Sequence, residues 1–494
     1  MTRFTVPCIA LLSLLFFSLP ARADETAPRV RFSATPETVR VVLDCPADAP
    51  CIDHSTPTAI SFSVATPLTA ALPAVTPNDP IVTGIAVTPD DQQQAVLTIT
   101  LAKARKYHQF ILAADQDHPF RVVIDILKLF KTETRQSLSP AITYLRLETQ
   151  TEDRYLAAHF LDIDARQPQV HFSVTPAAGA RERVCEMVTR TGAVCGVNGG
   201  YFMDGTRPVG LVKADGRILS LPLWARTAAA FPRNGAPIFD NPHGVWRIIL
   251  PDHTTRDLPD WLDASVLTPL PSAAVVNGDQ LNHTPAIPDG LILLIKDGKV
   301  AARSNAATPL CAGQWGVLLR GDDVKALGEL LPDGTPVPLT PVLQPAWTEY
   351  PNAIGAGPRL LRAGKIDISG PNERMKPDIL TGRHARTGLG VTKQGHVIMA
   401  VVETPCPFGG GATLEELAAL LQERGAVEAM NFDGGGSTSL ALGGVTVNYP
   451  PNQWVRPVAT GVLVTDDRIT PVAPKSTKPV LPDPPANDKP AAVE

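Results

Sequence analysis

The sequence predicts an α+β protein that is mostly β-structure. A small all-β sandwich domain precedes a larger β-rich domain with mixed sheets and a few helices. Three observations lead there. Apolar and polar residues alternate in short runs punctuated by Pro, Asp, Gly and Thr over most of the chain, as half-buried strands require. Helical spacing is confined to a few stretches, clearest at residues 181–191 and 413–424. A length of 494 residues leaves room for two or three domains at ~100–200 residues each.

Residues 1–23 read as a secretory signal, with basic Arg3, an apolar run over 9–19 and Ala21-Arg22-Ala23 in small-x-small form. Cys8 lies inside the apolar run rather than at the cut, so it is not read as a lipoprotein cysteine. No later stretch approaches the ~20 apolar residues that cross a bilayer. The mature protein is therefore expected to be exported, either periplasmic or associated with the cell envelope, and to have no membrane span.

The first domain is expected over residues 24–135. Within it Arg40-Val41-Val42-Leu43-Asp44 is echoed by Arg121-Val122-Val123-Ile124-Asp125, two apolar strands each bracketed by an arginine and an aspartate. Amphipathic strands with charged ends are common. Placed near the two ends of a domain of about a hundred residues just after a signal, the pair resembles the AMIN domain of periplasmic cell-wall enzymes. That resemblance implies a β-sandwich that targets the envelope, with peptidoglycan as a partner.

The second domain is expected over 136–466, and the Pro-rich stretch 467–494 reads as a disordered tail. Strands are expected at 144–147, 155–163 and 170–174. A helix is expected at 181–191, with Val184, Met187 and Val188 on one face and Gly192 to end it. The run VCGVNGGYF then carries Asn198 into a glycine pair and an aromatic pair. Asn also suits turns for purely local reasons. Many short strands follow between 210 and 361, and Gly355, Gly357 and Pro358 form a bare turn ahead of Arg359.

Six cysteines follow the signal, an even number that suits disulfides in an exported chain. Cys45 with Cys51 and Cys185 with Cys195 are near enough to close small loops, leaving Cys311 with Cys406. No two cysteines have zinc-knuckle spacing. The formal charge of −5 gives no basic surplus of the kind nucleic-acid binders show.

The richest chemistry lies near the C-terminus. Arg383, His384, Arg386 and Thr387 open a hairpin that turns at 393–395 and ends at Glu403. An arginine fork matches phosphate oxygens, although such a cluster also suits a solvated basic face. Thr413 and Glu416 have capping-box spacing ahead of Leu414, Leu417, Leu420 and Leu421, and Gly425 stops that helix. The next strand runs into Asp433, then Gly434, Gly435 and Gly436, then Ser437, Thr438 and Ser439. Consecutive glycines expose backbone N–H groups that can wrap an anionic or sugar ligand.

Taken in order, the segments 197–202, 352–361, 386–390, 411–417, 430–439 and 456–458 resemble the phosphodiester glycosidase family. Phe432 stands where that family more often has leucine, and Tyr201 where it more often has phenylalanine. The resemblance implies hydrolysis of a sugar-1-phosphate diester, releasing the sugar and a phosphomonoester; the mammalian member removes N-acetylglucosamine. It carries Asn198, Arg386, Thr387, Asp433 and Ser437 over as polar site residues.

On this reading Arg386 and the amides of Gly434 to Gly436 hold phosphate, and Asp433 is the base or the electrostatic stabiliser. Glu403 is a second carboxylate, while Asn198 and Ser437 orient substrate. Thr387, His384 and Gly357 complete the binding set. A rival assigns Ser437 as nucleophile with His384 as base, without the G-x-S-x-G elbow. Another alternative is a non-catalytic envelope protein that binds glycan. No cofactor is implied; Asp433 and Glu403 are metal-ligand types, but no spacing demands a divalent metal.

Overall fold

The computed structural model describes residues 28–151, 154–179, 181–203, 207–265, 269–278, 281–403, 410–448 and 454–469. The expected signal, Cys406 and all but the first residues of the expected tail lie outside them. No helix among the described residues is long and apolar enough to cross a membrane. The chain divides into two compact units, one ending at Lys128 and one beginning at Leu129. That boundary precedes the expected 135/136 because Phe130–Ser139 pairs along its length with Ile142–Gln150 of the second unit.

The first unit contains two four-stranded antiparallel sheets. In one, the order is Arg29–Ala34, Thr38–Cys45, Phe120–Leu127, Tyr107–Leu112; in the other it is Cys51–Asp53, Ala59–Pro67, Gln94–Leu101, Val82–Pro89. Alternate residues, among them Val39, Val41, Leu43, Val122, Ile124, Ile60, Phe62 and Leu97, bury into one core, as the period of two dictates. The echoed RVV strands turn out to be antiparallel neighbours, with Arg40 opposite Asp125 and Asp44 opposite Arg121. Arg40 grips Asp125 through two 2.7 Å hydrogen bonds, and Arg31 grips Asp44 in the same way. The repeated pattern is therefore reciprocal cross-strand charge matching, which fixes register.

The second unit is organised by two sheets. The larger runs Lys365–Ile366, Arg359–Arg362, Ala426–Asn431, Arg386–Thr392, His396–Val402, Tyr155–Asp164, Ile142–Gln150, Phe130–Ser139. The smaller runs Val170–Pro176, Thr460–Asp466, Cys195–Asn198, Leu440–Leu442, Val445–Thr446. One core joins them, with Leu389, Met399, Val401, Met430 and Phe432 meeting Val197, Leu440, Val462 and Val464. The opposite face of the larger sheet, through Ala400, Val402 and Ala429, packs on Leu414, Leu417 and Leu421 of the helix Leu414–Glu423. The outer face of the smaller sheet packs on the helix Val184–Thr191. Further antiparallel sheets between residues 212 and 355 share a core that includes Trp246, Val275, Val317 and Leu343. Among the described residues a parallel contact occurs as the isolated bridge Asp260↔Val275.

The capping box forms as expected: Thr413 Oγ1 accepts from the Glu416 amide (3.3 Å) and Glu416 Oε2 accepts from the Thr413 amide (3.1 Å). Gly192 caps the earlier helix at φ +71°. That helix begins at Val184 rather than 181 because Glu182 bridges to Val458.

Among the described residues the expected Cys45–Cys51 and Cys185–Cys195 disulfides do not form, and the expected partner of Cys311, Cys406, lies outside them. Cys45, Cys51, Cys185, Cys195 and Cys311 are free thiols. Cys195 points into the inter-sheet core, whereas Cys185 packs on the outer face of the same sheet, so the strand itself separates them. Cys45 and Cys51 instead lie on the Leu43 and Ala49 carbonyls at 3.8 and 3.7 Å. Burial, with Cys51 adding, pushes the Cys45 thiol up to about 12.

Candidate active site

The strand Ala426–Asn431 delivers the glycine loop to the end of the larger sheet. Phe432 is fully buried, and its amide donates to the Thr387 carbonyl at 2.8 Å. The Asp433 amide then crosses to the Gly199 carbonyl at 3.1 Å, joining the loop to the smaller sheet. Gly434 must be bare, since a Cβ there would stand 2.7 Å from the Ala385 carbonyl oxygen. Gly435 takes φ +55° and donates to the same carbonyl at 2.8 Å. A single 3₁₀ turn, Gly435–Ser437, closes the loop. A Cβ on Gly436 would collide with the Arg456 guanidinium, so glycine lets that cation lie against the loop.

Asn198 is the hub. Its Nδ2 donates to the Asp433 carbonyl at 2.7 Å, and its Oδ1 accepts from Thr387 Oγ1 at 2.7 Å and from the Ser439 amide at 3.0 Å. Asn198 and Thr387 are both fully buried, and these bonds occupy the Asn198 carbonyl oxygen completely. The pair therefore fixes the loop from both sheets rather than presenting free donors to a ligand.

Asp433 itself is half-buried. Burial pushes its carboxyl up to about 6, opposed by hydrogen bonds from Ser437 and the Gly434 amide and by the positive charge of Arg456. The Gly434 amide donates to Oδ1 at 2.9 Å. Around the loop, Asn431 Oδ1, Thr438 Oγ1, Ser439 Oγ and Thr460 Oγ1 are buried without a hydrogen-bond partner among the described residues. Buried polar atoms are normally paired, so this concentration marks a site rather than ordinary core.

Arg386 alternates with Thr387 and so leaves the sheet on the helix side. Its Nε donates to the Ala412 carbonyl (2.9 Å) and its Nη2 to the carbonyls of Ile379 (2.9 Å) and Gly382 (2.7 Å). Nη1 makes no hydrogen bond among the described residues, so one edge of the fork remains available. Burial lowers the Arg386 pKa, but a guanidinium stays charged.

The other expected residues are distributed differently. His384 turns to Asp378, 3.2 Å from its carbonyl and 3.3 Å from its carboxylate, while Ser437 serves Asp433; the Ser–His pairing does not form. Glu403 directly follows the strand His396–Val402 and belongs to a buried chain with His159 and Tyr144. Its Oε1 lies 2.7 Å from His159 Nε2, and His159 Nδ1 lies 2.7 Å from the Tyr144 hydroxyl. Gly357, at φ +80°, is bare because a side chain would strike the Glu373 carboxylate. Its carbonyl accepts from Tyr201 Oη and Asn431 Nδ2, both at 3.1 Å.

Arg456 and Arg226 join this neighbourhood, and His159 joins Glu403, without having been singled out as site residues. Arg456 was visible as part of the 456–458 segment, but an arginine in a coil has no periodicity to betray its target. Burial raises the Tyr201 pKa, with the charge of Asp433 adding and those of Arg226 and Arg386 opposing, so each of these three lies within electrostatic reach of Tyr201.

The comparisons agree with this architecture. Residues 271–465 match the phosphodiester glycosidase family model. The mouse N-acetylglucosamine-1-phosphodiester alpha-N-acetylglucosaminidase is 34% identical over 94 residues, a match spanning 18% of this chain and 18% of that protein. A hypothetical protein from Synechocystis superposes with TM-score 0.61 at 20% identity, covering 88% of this chain and 79% of that one. A protein described as exported, from Burkholderia pseudomallei K96243, gives TM-score 0.52 at 16% identity over 89% and 96%. At these identities the two structures speak to the fold alone. Asn198, Tyr201 and Arg226 precede the matched residues, and their place in the site rests on the contacts above. Residues 271–465, which carry the Arg386 strand and the Asp433 loop, are thus the part of the chain that is similar to the phosphodiester glycosidase family.

Proposed function

We propose that this protein is an exported hydrolase that cleaves the glycosyl–phosphate bond of a sugar-1-phosphate diester, releasing sugar and a phosphomonoester. The observation that carries this reading is the half-buried Asp433 beside a bare glycine loop, with Arg456 against the loop and Arg386 within electrostatic reach of the neighbouring Tyr201, Asp433 and both arginines lying inside the family-matched residues. The name of the mouse relative supplies the first sugar to test, N-acetylglucosamine. Export rests on the secretory-signal pattern of residues 1–23.

Phosphate is already a good leaving group, so the reaction needs little general-acid help. Arg456, the free edge of Arg386 and the loop amides offset phosphate charge. Asp433, with a pKa near 6, is mostly ionised at neutral pH and serves as base for water or stabilises charge at the anomeric carbon. Ser437 orients that carboxylate. Asn198 and Thr387 hold the loop, and Glu403, steadied by His159, is the second carboxylate to test. The first unit is proposed to act as an AMIN-like envelope-targeting module that binds peptidoglycan, a reading supported by its sandwich form and its paired RVV strands.

The test is product release from a panel of sugar-1-phosphate diesters by wild type, Asp433→Asn and Arg456→Gln, each shown to be folded. Loss of turnover in both variants supports the assignment. Full turnover by folded Asp433→Asn would remove Asp433 from the chemistry.

A further inference from the structure

We propose that Arg226 and Arg374, gathered around Trp224 beside Tyr201, form the leaving-group side of the site and select diesters whose aglycone carries a further anionic group such as phosphate or carboxylate. This rests on the reading of the Asp433 loop as the place of glycosyl–phosphate cleavage.

The segment between Arg217–Ser220 and Ala228–Phe231 is unusual in its backbone. Trp224 at φ +53° and Ala225 at φ +47° are successive non-glycine residues in the left-handed region, as is Arg374 at φ +50°. Such conformations persist where surrounding contacts over-determine them, and they cluster at ligand sites. The holding contacts are visible. The Trp224 amide donates to Asp263 Oδ1 at 2.6 Å, and Asn241 Nδ2 donates to the Ala225 carbonyl at 2.8 Å.

This backbone places the Arg226 guanidinium 4.8 Å from the Trp224 ring centroid and 5.5 Å from that of Tyr201. Its Nε and Nη2 donate to the Glu373 and Arg374 carbonyls at 3.1 and 3.3 Å, and its Nη1 makes no hydrogen bond among the described residues. Arg374 is exposed, 6.0 Å from the Trp224 centroid, and its side chain has no hydrogen bond or ion pair among the described residues. A guanidinium stacked on aromatic faces is oriented without using its in-plane donors, which remain free for an anion.

The charge of Glu373 reaches Arg226, but the carboxylate forms no ion pair with either arginine among the described residues. Glu373 is buried, and its oxygens accept from the Thr227 amide (2.9 Å), the Thr227 hydroxyl (2.6 Å), the Arg359 amide (3.2 Å) and the Ser369 hydroxyl. A neutral sugar gains little from two cations, and the scissile phosphate already faces Arg456 and Arg386. A second pair of cations, gathered on Trp224 with Arg226 also over the Tyr201 ring, therefore matches a second anion, on the aglycone.

The experiment uses the full chain and two N-acetylglucosamine-1-phosphodiesters, one with a neutral alkyl aglycone and one whose alkyl aglycone ends in phosphate. Wild type, Arg374→Gln and Arg226→Lys are compared. Wild type is expected to favour the phosphorylated aglycone about tenfold in kcat/KM, through KM, the effect of roughly one charged contact. The exposed Arg374→Gln is expected to bring the ratio towards unity, and Arg226→Lys to reduce it by losing the fork while keeping the charge. A wild-type ratio near unity, or a preference that survives Arg374→Gln intact, overturns the proposal. If wild type cleaves neither diester, the reaction assignment fails on its own. The anion site is then judged by calorimetric titration with inorganic pyrophosphate: binding weakened by Arg374→Gln supports it, and no binding by wild type overturns it.

Discussion

At the residue scale two side chains divide the labour, Asn198 by structure and Asp433 by charge. Replacing Asn198 by Ala strands the Thr387 hydroxyl and the Ser439 amide in a dry interior. At ~1–3 kcal/mol for each buried group left unpaired, a loss of about 3 kcal/mol is expected in urea denaturation, with activity falling as the loop loosens. Asp433 has a pH signature whose sign follows from its raised pKa. The folded state keeps a proton that the unfolded state releases between pH ~4 and ~6, so stability falls as pH rises through that window and levels off above it. Buried Asp260, also pushed up to about 6, adds a decline of the same sign. Asp433→Asn should therefore flatten the stability profile only in part, which denaturation midpoints measured from pH 4 to 7 will show. Catalysis should run the other way, rising through pH ~6 as Asp433 ionises.

At the scale of elements, the glycine loop separates packing from function. Gly434→Ala drives a Cβ onto a backbone oxygen at 2.7 Å and should destabilise the fold. Gly436→Ala meets a long, flexible arginine instead, so the melting temperature should move little while turnover falls as Arg456 is displaced from the loop. Equal loss of stability in the two variants would show that Arg456 is structural. Thr413→Ala removes a helix cap whose two hydrogen bonds are both made, an expected loss of ~1 kcal/mol by denaturation. Elements with local chemistry were legible: the Thr413 cap, the Gly192 and Gly425 stops and the hairpin 386–402 follow from spacing and turn residues. The final strand was less so. It spans Thr460–Asp466 and follows residues 454–459, a segment without strand spacing that carries Arg456 to the loop.

At the scale of the whole molecule, the two units have separate cores, and calorimetry of the full chain should resolve two unfolding transitions, with Asn198→Ala lowering one of them. The family and the loop were readable because their motifs are contiguous. Sidedness across sheets was not. Which residues face which layer depends on pairing partners hundreds of positions away, such as Thr387 meeting Asn198 or His159 meeting Glu403. The same long-range pairing put Cys185 and Cys195 on opposite faces, a separation that proximity in sequence concealed.

Asp433, set on the glycine loop beside Arg456, is proposed to act in cleaving a glycosyl phosphate. The most direct test is the rate of sugar release from an N-acetylglucosamine-1-phosphodiester across pH 4 to 8, comparing wild type with folded Asp433→Asn. Turnover that rises through pH ~6 in wild type and is lost in the variant is the predicted result. Turnover by the variant at the wild-type rate, with the same pH profile, would contradict it.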